Sequence, residues 1–361
     1  MRALMLAVAL ALTGAVGCSE QQPSPATPVA AAAAPEPERL TLDVARQAFR
    51  AYVINDDVAR ASGDERLALS WNGEGQSLLT AAAFRKAAFT GDPVPRYDYG
   101  TPRLYVPRLT TYPQWFVAVA ERMPRGIEPA ATGRAAARAK AKSGRTAIMA
   151  FMRWDPSSRW RLSLSTLLDD KAKLPQFEVD KEGYAAALAT FDGGLVIQPR
   201  GVPAIQATLA EEGPTSVAAQ VMRTGRHTSD HYTETRKAKK KAKDGGLAYD
   251  TVFRATSFPI FPLRTVGGGF VLYALEQNTV KFLSDTRKGH LPIPREAAHL
   301  LDTLVMQDQL DVSETLQFGA LVPATPRPPS EGASATATSK STPPKADIIA
   351  SDGDATRAVT K

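Results

Sequence analysis

A single cysteine, Cys18, stands in this chain of 361 residues. One thiol closes no disulfide within the chain, so whatever folds here must be held by an apolar core. Material for a core is present, since 43% of the residues are hydrophobic. It is unevenly spread. From Leu40 to Val322 apolar residues recur throughout, over a length above the usual size of one domain. On either side Ser, Pro, Ala and Thr dominate. Such composition cannot bury enough surface to offset chain entropy, so residues 18–39 are expected to form a disordered tether and 323–361 a disordered tail.

The first 17 residues have a different texture. Arg2 is followed by an uninterrupted apolar run from Ala3 to Leu12, then small or apolar residues to Gly17. The run suits the core of a signal peptide and falls short of the roughly 20 residues that span a bilayer. Ala15-Val16-Gly17-Cys18 resembles a lipobox, with Ala15 where Leu is usual. The resemblance implies cleavage before Cys18, lipid attachment to its thiol, and a place on the extracytoplasmic face of a cell membrane. An ordinary signal peptide with an incidental cysteine is the alternative. The Pro-rich tether would stay extended at about 3 Å per residue.

Within the body, Leu42, Ala45, Phe49, Tyr52 and Val53 make one helical stripe that Thr41 can cap. Asp56-Asp57 and Ser62-Gly63-Asp64 read as breaks, with further helices around Arg66–Leu69 and Ser77–Phe89. Tyr97–Leu109 reads as irregular strands, and Trp115–Ala120, Thr146–Trp154 and Trp160–Ser165 as strands, the last two joined by the turn Asp155-Pro156-Ser157-Ser158. The second half echoes this order. Helices are expected at Lys181–Phe191, Gly201–Leu209 and Thr215–His231; strands at Thr251–Leu263, Phe270–Leu275 and Leu316–Val322, with Gly267-Gly268-Gly269 as a hairpin turn. The expectation is an α+β protein of two helix-then-antiparallel-sheet domains, 40–174 and 175–322, related by internal duplication.

Helices followed by a curved antiparallel sheet is also the order of NTF2-like domains. Phe49-Arg50-Ala51-Tyr52 with Gly63-Asp64-Glu65-Arg66-Leu67 resembles their opening, which implies a cone-shaped pocket under a helical lid. A second resemblance runs to uncharacterised actinobacterial lipoproteins. It rests on Cys18, on Ala51-Tyr52-Val53 with Asn55, Ala59, Asp64 and Leu67, on Pro113–Val119, and on Leu263-Arg264-Thr265 with Gly268–Leu275. It implies a lipoprotein and no particular substrate.

Candidate chemistry is sparse. His227 and His231, four apart, would share a helix face and suit a zinc ion, but no third strong ligand is identifiable; a solvated helix face is the plainer reading, and no metal or cofactor is expected. The run Arg236, Lys237, Lys239, Lys240, Lys241 and Lys243 is the sharpest charge feature, and Arg134, Arg138, Lys140, Lys142 and Arg145 form a second cluster. Such runs suit anionic lipid headgroups or anionic envelope polymers, or else are solvated mobile loops. An exported location and the lack of interleaved aromatics argue against nucleic acid. Gly267-Gly268-Gly269 opens no helix and is no phosphate loop, and no nucleophile elbow is present. The adjacent carboxylates Asp56-Asp57, Asp169-Asp170 and Glu211-Glu212 point apart on a helix. Trp154 and Trp160 suit packing better than a sugar face. The function expected is a membrane-tethered, non-enzymatic binding or envelope-assembly module, with a protein partner as one further possibility. The alternative is an envelope enzyme whose pocket lies between helices and sheet.

Overall fold

Thr41 starts the first helix, its side chain accepting the Val44 N–H at 3.2 Å. The computed structural model describes residues 39–125, 144–283, 291, 293–302, 308–326 and 343–361. Helix α1 (Leu42–Ser62) buries Ala45, Phe49 and Tyr52 along the expected stripe and ends at Gly63, whose φ of 70° suits a left-handed cap. Asp56 and Asp57 do not break it. Asp64 caps α2 (Glu65–Trp71), accepting the Leu67 N–H at 2.9 Å, and α3 (Glu74–Thr90) follows.

Ten strands then build one sheet among the described residues. The first half supplies β1 (Arg96–Tyr99), β2 (Arg103–Tyr105), β3 (Gln114–Arg125), β4 (Arg145–Arg153) and β5 (Arg161–Leu168). Helices α4 (Val202–Glu212) and α5 (Ser229–Asp244) precede β6 (Leu247–Ala255), β7 (Phe261–Thr265), β8 (Gly268–Leu283), β9 (Gln309–Pro323) and β10 (Asp347–Thr360). The order is β1-β3-β4-β5-β10-β9-β8-β6, with β2 also on β3 and β7 also on β8. Each half therefore runs through three long antiparallel strands, and the outermost of the three is flanked by two shorter ones. The halves meet at the seam between β5 and β10.

That seam corrects two expectations. The sheet does not divide at residue 174; the described residues of both halves belong to one compact unit. Asp347–Thr360, expected in a disordered tail, instead form a strand paired with β9 from Asp347↔Leu321 to Thr360↔Leu310. On its other side β10 pairs with β5 only at Ala350↔Leu168 and Ser351↔Leu167. Beyond those pairs Gln317 of β9 bridges to β5: its Oε1 accepts the Ser165 N–H at 2.8 Å and its carbonyl accepts the Thr166 hydroxyl at 3.4 Å. Gly353 allows β10 to lie close there, because a Cβ would stand 2.7 Å from the Thr315 carbonyl oxygen.

The two half-sheets fold face to face. Val117, Val119, Ile148 and Ala150 pack against Phe261, Leu263, Phe270 and Leu272. Helix α1 covers the other face of the first half through Phe49 and Tyr52, which meet Phe151 edge-on. Val202 and Leu209 of α4 cover the other face of the second half, over Val271, Tyr273 and Phe318. Both faces of the central strands are thus dry, which is why Trp115–Ala120 and Phe270–Leu275 read as continuous apolar runs.

Two expected helices do not form. Residues 181–191 make a strap held by isolated bridges, with the Ala185 N–H on the Val106 carbonyl and the Leu188 N–H on the Pro262 carbonyl. Asp180 turns its start by accepting the Glu182 and Tyr184 N–H groups, each at 2.9 Å. In 215–231 only a short 3-10 turn at Val217–Gln220 precedes α5.

One ion pair is buried in the first half. Arg60 Nε donates to Asp56 Oδ2 at 2.7 Å, with side-chain exposures of 8% and 5%, and Arg60 Nη1 donates to the Pro95 carbonyl at 3.0 Å. Burial disfavours the Arg60 cation, yet the Asp56 carboxylate overcomes it and holds the guanidinium pKa above its ordinary value. Nearby, Asp57 accepts from both Arg96 and Arg125, tying α1 to β1 and β3.

Two outcomes follow from this architecture. A chain ending at residue 343 should lose cooperative thermal unfolding, because it lacks the strand between the half-sheets; a wild-type melting curve would count against the seam. Arg60→Ala should cost about 3–5 kcal/mol in denaturant unfolding by leaving Asp56 buried and unpaired, whereas Asp56→Leu with Arg60→Met should recover most of that loss.

Candidate functional site

The basic run lies on α5 and is helical. Lys, Arg and Ala are good helix formers, and Ala238 and Ala242 let the backbone approach its neighbours. His231, Tyr232, Thr235, Ala238 and Ala242 are half-buried at helical spacing, while Arg236, Lys237, Lys239, Lys240, Lys241 and Lys243 are all exposed. The expected mobile loop is thus a fixed rod, about 24 Å long at 1.5 Å per residue. Asp230 in the first turn and Lys241 and Lys243 in the last both suit the helix dipole.

The rod is docked at the sheet edge. It packs on β6, the outermost strand of the second half, and on α4. Tyr232 fits against Gly213 just past α4, where a Cβ would stand 2.6 Å from the ring. Lys239 Nζ bonds Asp250 of β6 at 2.8 Å, and that bond holds Asp250 below the usual carboxylate range. The Arg236 guanidinium lies 5.6 Å from the Tyr232 ring centre. Lys237, Lys240, Lys241 and Lys243 make no ion pair with a described residue, so their charge faces outward. Of the second basic cluster, Arg134, Arg138, Lys140 and Lys142 lie outside the described residues. Arg145 starts β4, where its Nη2 donates to the Leu168 carbonyl at 3.2 Å.

The two histidines do not share a helix face. His227 sits in the turn before α5, with Nε2 2.8 Å from Asp169 Oδ2 and its carbonyl accepting Gln206 Nε2 at 2.7 Å. Gln206 in turn accepts the hydroxyl of the buried Tyr273. His231 is on α5 with its ring 5.0 Å from that of Phe253. Both rings are packed, so the solvated-face reading fails along with the shared face. Among the described residues no group of three or more His, Cys, Asp or Glu side chains is placed to hold a metal ion. Cys18 lies outside the described residues.

Several of the remaining sequence candidates have structural partners. Asp169 meets His227, and Glu211 accepts the Phe253 N–H at 2.7 Å. Trp160 packs edge-on against Phe116 at 5.2 Å. Trp154 is half-exposed, its indole N–H donating to Glu74 at 2.8 Å. No helix of the described residues is long and apolar enough to cross a membrane.

The chain belongs to the family described as Domain of unknown function (DUF8094), whose model matches residues 38–342. The match takes in α1 through β9, with the basic helix inside it. No curated protein and no solved structure matches the chain.

The packing of His231 sets a pH dependence. Burial holds its imidazole below the ordinary value of 6.5. Below that value the unfolded chain takes up a proton that the folded chain refuses, so stability present above it is lost as pH falls toward the lowered folded value. The unfolding midpoint should drop on acidification from about pH 7.5 to about pH 5.5, and His231→Leu should flatten that drop. An identical profile in the variant would place the acid sensitivity elsewhere.

Proposed function

We propose that this protein is a membrane-tethered extracytoplasmic lipoprotein, anchored through Cys18, that works by binding and docks α5 on anionic lipid headgroups. The observation that carries the reading is the α5 rod, whose exposed basic side chains form a surface of fixed geometry. Each basic residue close to an anionic membrane surface contributes about 1 kcal/mol, so four unpaired lysines give useful but reversible adhesion. A lipid on Cys18 would supply the second signal that single acyl chains need for stable attachment. An extended tether of roughly 20 residues would reach about 60 Å, enough for the body to lie back on the surface that anchors it. Tethering raises the effective concentration of α5 at that surface without new contacts. Kinship with actinobacterial lipoproteins is part of the same reading. The mirrored strand order also supports an internal duplication, with NTF2-like units as the source of each half.

Membrane fractionation, intact mass and vesicle binding test this together. Wild type should sit in the membrane fraction with a lipid-sized mass increment, and Cys18→Ala should be soluble or uncleaved. The Cys18→Ala protein should still bind vesicles containing anionic lipid more tightly than zwitterionic ones. Lys237→Glu with Lys240→Glu and Lys241→Glu should abolish that preference. Identical processing and solubility of wild type and Cys18→Ala would overturn the anchor; equal binding to both vesicle types would overturn the role of α5.

A further inference from the structure

A cleft of about 730 Å³ opens between α3 and the turn joining β6 to β7. Leu78, Ala81 and Arg85 of α3 line it at three- and four-residue spacing, so they present one helix face. Phe258 and Arg254 face them from the turn and the end of β6. Its floor is polar and uncharged: Ser313 and Thr315 of β9 beside Thr356 of β10, with the Thr315 and Thr356 hydroxyls 3.0 Å apart. Leu300 and Val359 add apolar surface. The cleft is preformed, because α3 is pressed against the sheet at Gly75. A Cβ there would stand 3.2 Å from Gln317 Nε2 and 3.3 Å from the Phe258 ring.

The charges in this cleft are not balanced. Arg254 is neutralised by Glu276 at 3.0 Å. Arg85 and Arg357 make no ion pair with a described residue, and Asp302 is the one acid left among the lining side chains. The neighbouring His299 sits in the same field: burial first, then Lys86 and Arg85, hold its imidazole below the ordinary value, with Asp354 opposing. The volume lies in the range of pockets that take drug-sized molecules.

We propose that this cleft binds a small amphipathic anion, with an oxyanion head, carboxylate or phosphate, at Arg85 and Arg357 and an apolar body along Leu78, Phe258 and Leu300. Guanidinium groups pair with such heads through charge-assisted hydrogen bonds, and the apolar walls take the chain. The site uses different residues from the α5 surface and stands whether or not α5 meets a membrane.

Calorimetric titration of the full chain tests it, with decanoate and decyl phosphate below their micellar thresholds, decanol as the uncharged body, and inorganic phosphate as the head alone. At least one of the two amphipathic anions should bind saturably, and the tighter one names the head group. Decanol and inorganic phosphate should each bind at least about tenfold more weakly. Arg85→Gln with Arg357→Gln should weaken binding by about tenfold or more at an unchanged melting temperature, and Arg85→Lys should restore part of it when placed with wild-type Arg357. The α5 variant with three glutamates should bind as wild type. Absence of saturable binding by both anions, decanol binding as tightly as they do, or wild-type affinity in the double arginine variant would overturn the assignment.

Discussion

Strand β10 is flanked by backbone partners on both sides, and each half of the molecule depends on it. Without it, β5 and β9 would present open edges to one another, the kind of unpaired backbone that native sheets avoid. Its ladder to β9 is long and its ladder to β5 is two residues. The seam therefore relies on side chains as well. Gln317, fully buried, spans from β9 to β5 and takes both a backbone donor and a hydroxyl. The apolar interior between the half-sheets includes Ile349 and Ala350 of the same strand. Core and ladder thus converge on one segment.

Much of the fold was legible because local signals and tertiary demand agreed. Thr41 and Gly63 bound α1 as capping chemistry requires, and the stripe of Ala45, Phe49 and Tyr52 is the face it buries. β3 and β8 were readable by apolar content alone. β10 was not. Asp352-Gly353-Asp354 is turn composition, and it sits mid-strand. Tertiary context overrides it: glycine is needed for the close approach to Thr315, and Asp352 lies 3.5 Å from Arg122. The pair Ile348-Ile349 was the signal that argued the other way. Residues 181–191 erred in the opposite sense. Their alanines suit a helix, but backbone donors at Ala185 and Leu188 find the carbonyls of Val106, just past β2, and Pro262 of β7, both far away in sequence.

The candidate surface was half legible. Its charge stood in the sequence, but its helicity did not register, although Thr235, Ala238 and Ala242 already carry the spacing of a buried stripe. The histidine pair failed because spacing implies a shared face only when both residues are in the helix, and α5 begins two residues after His227. The cleft beneath α3 could not be read at all. Its lining comes from α3, β6 and its turn, β8, β9 and β10, and no local pattern links segments so far apart.

The position of β10 also bears on how the molecule comes together. Every other described strand precedes it in sequence, yet it belongs in the middle of the sheet, and Leu168 must wait for Ala350. Contacts of such sequence separation form late and slowly. A chain emerging from its N-terminus, from a ribosome or through a narrow channel, can assemble helices and hairpins of each half but cannot seal them to one another. Through that interval it stays unlocked and easily threaded, with two strand edges exposed to any neighbour. Topology alone thus acts as a delay: the two half-sheets are sealed to one another only once β10 is available to stand between β5 and β9.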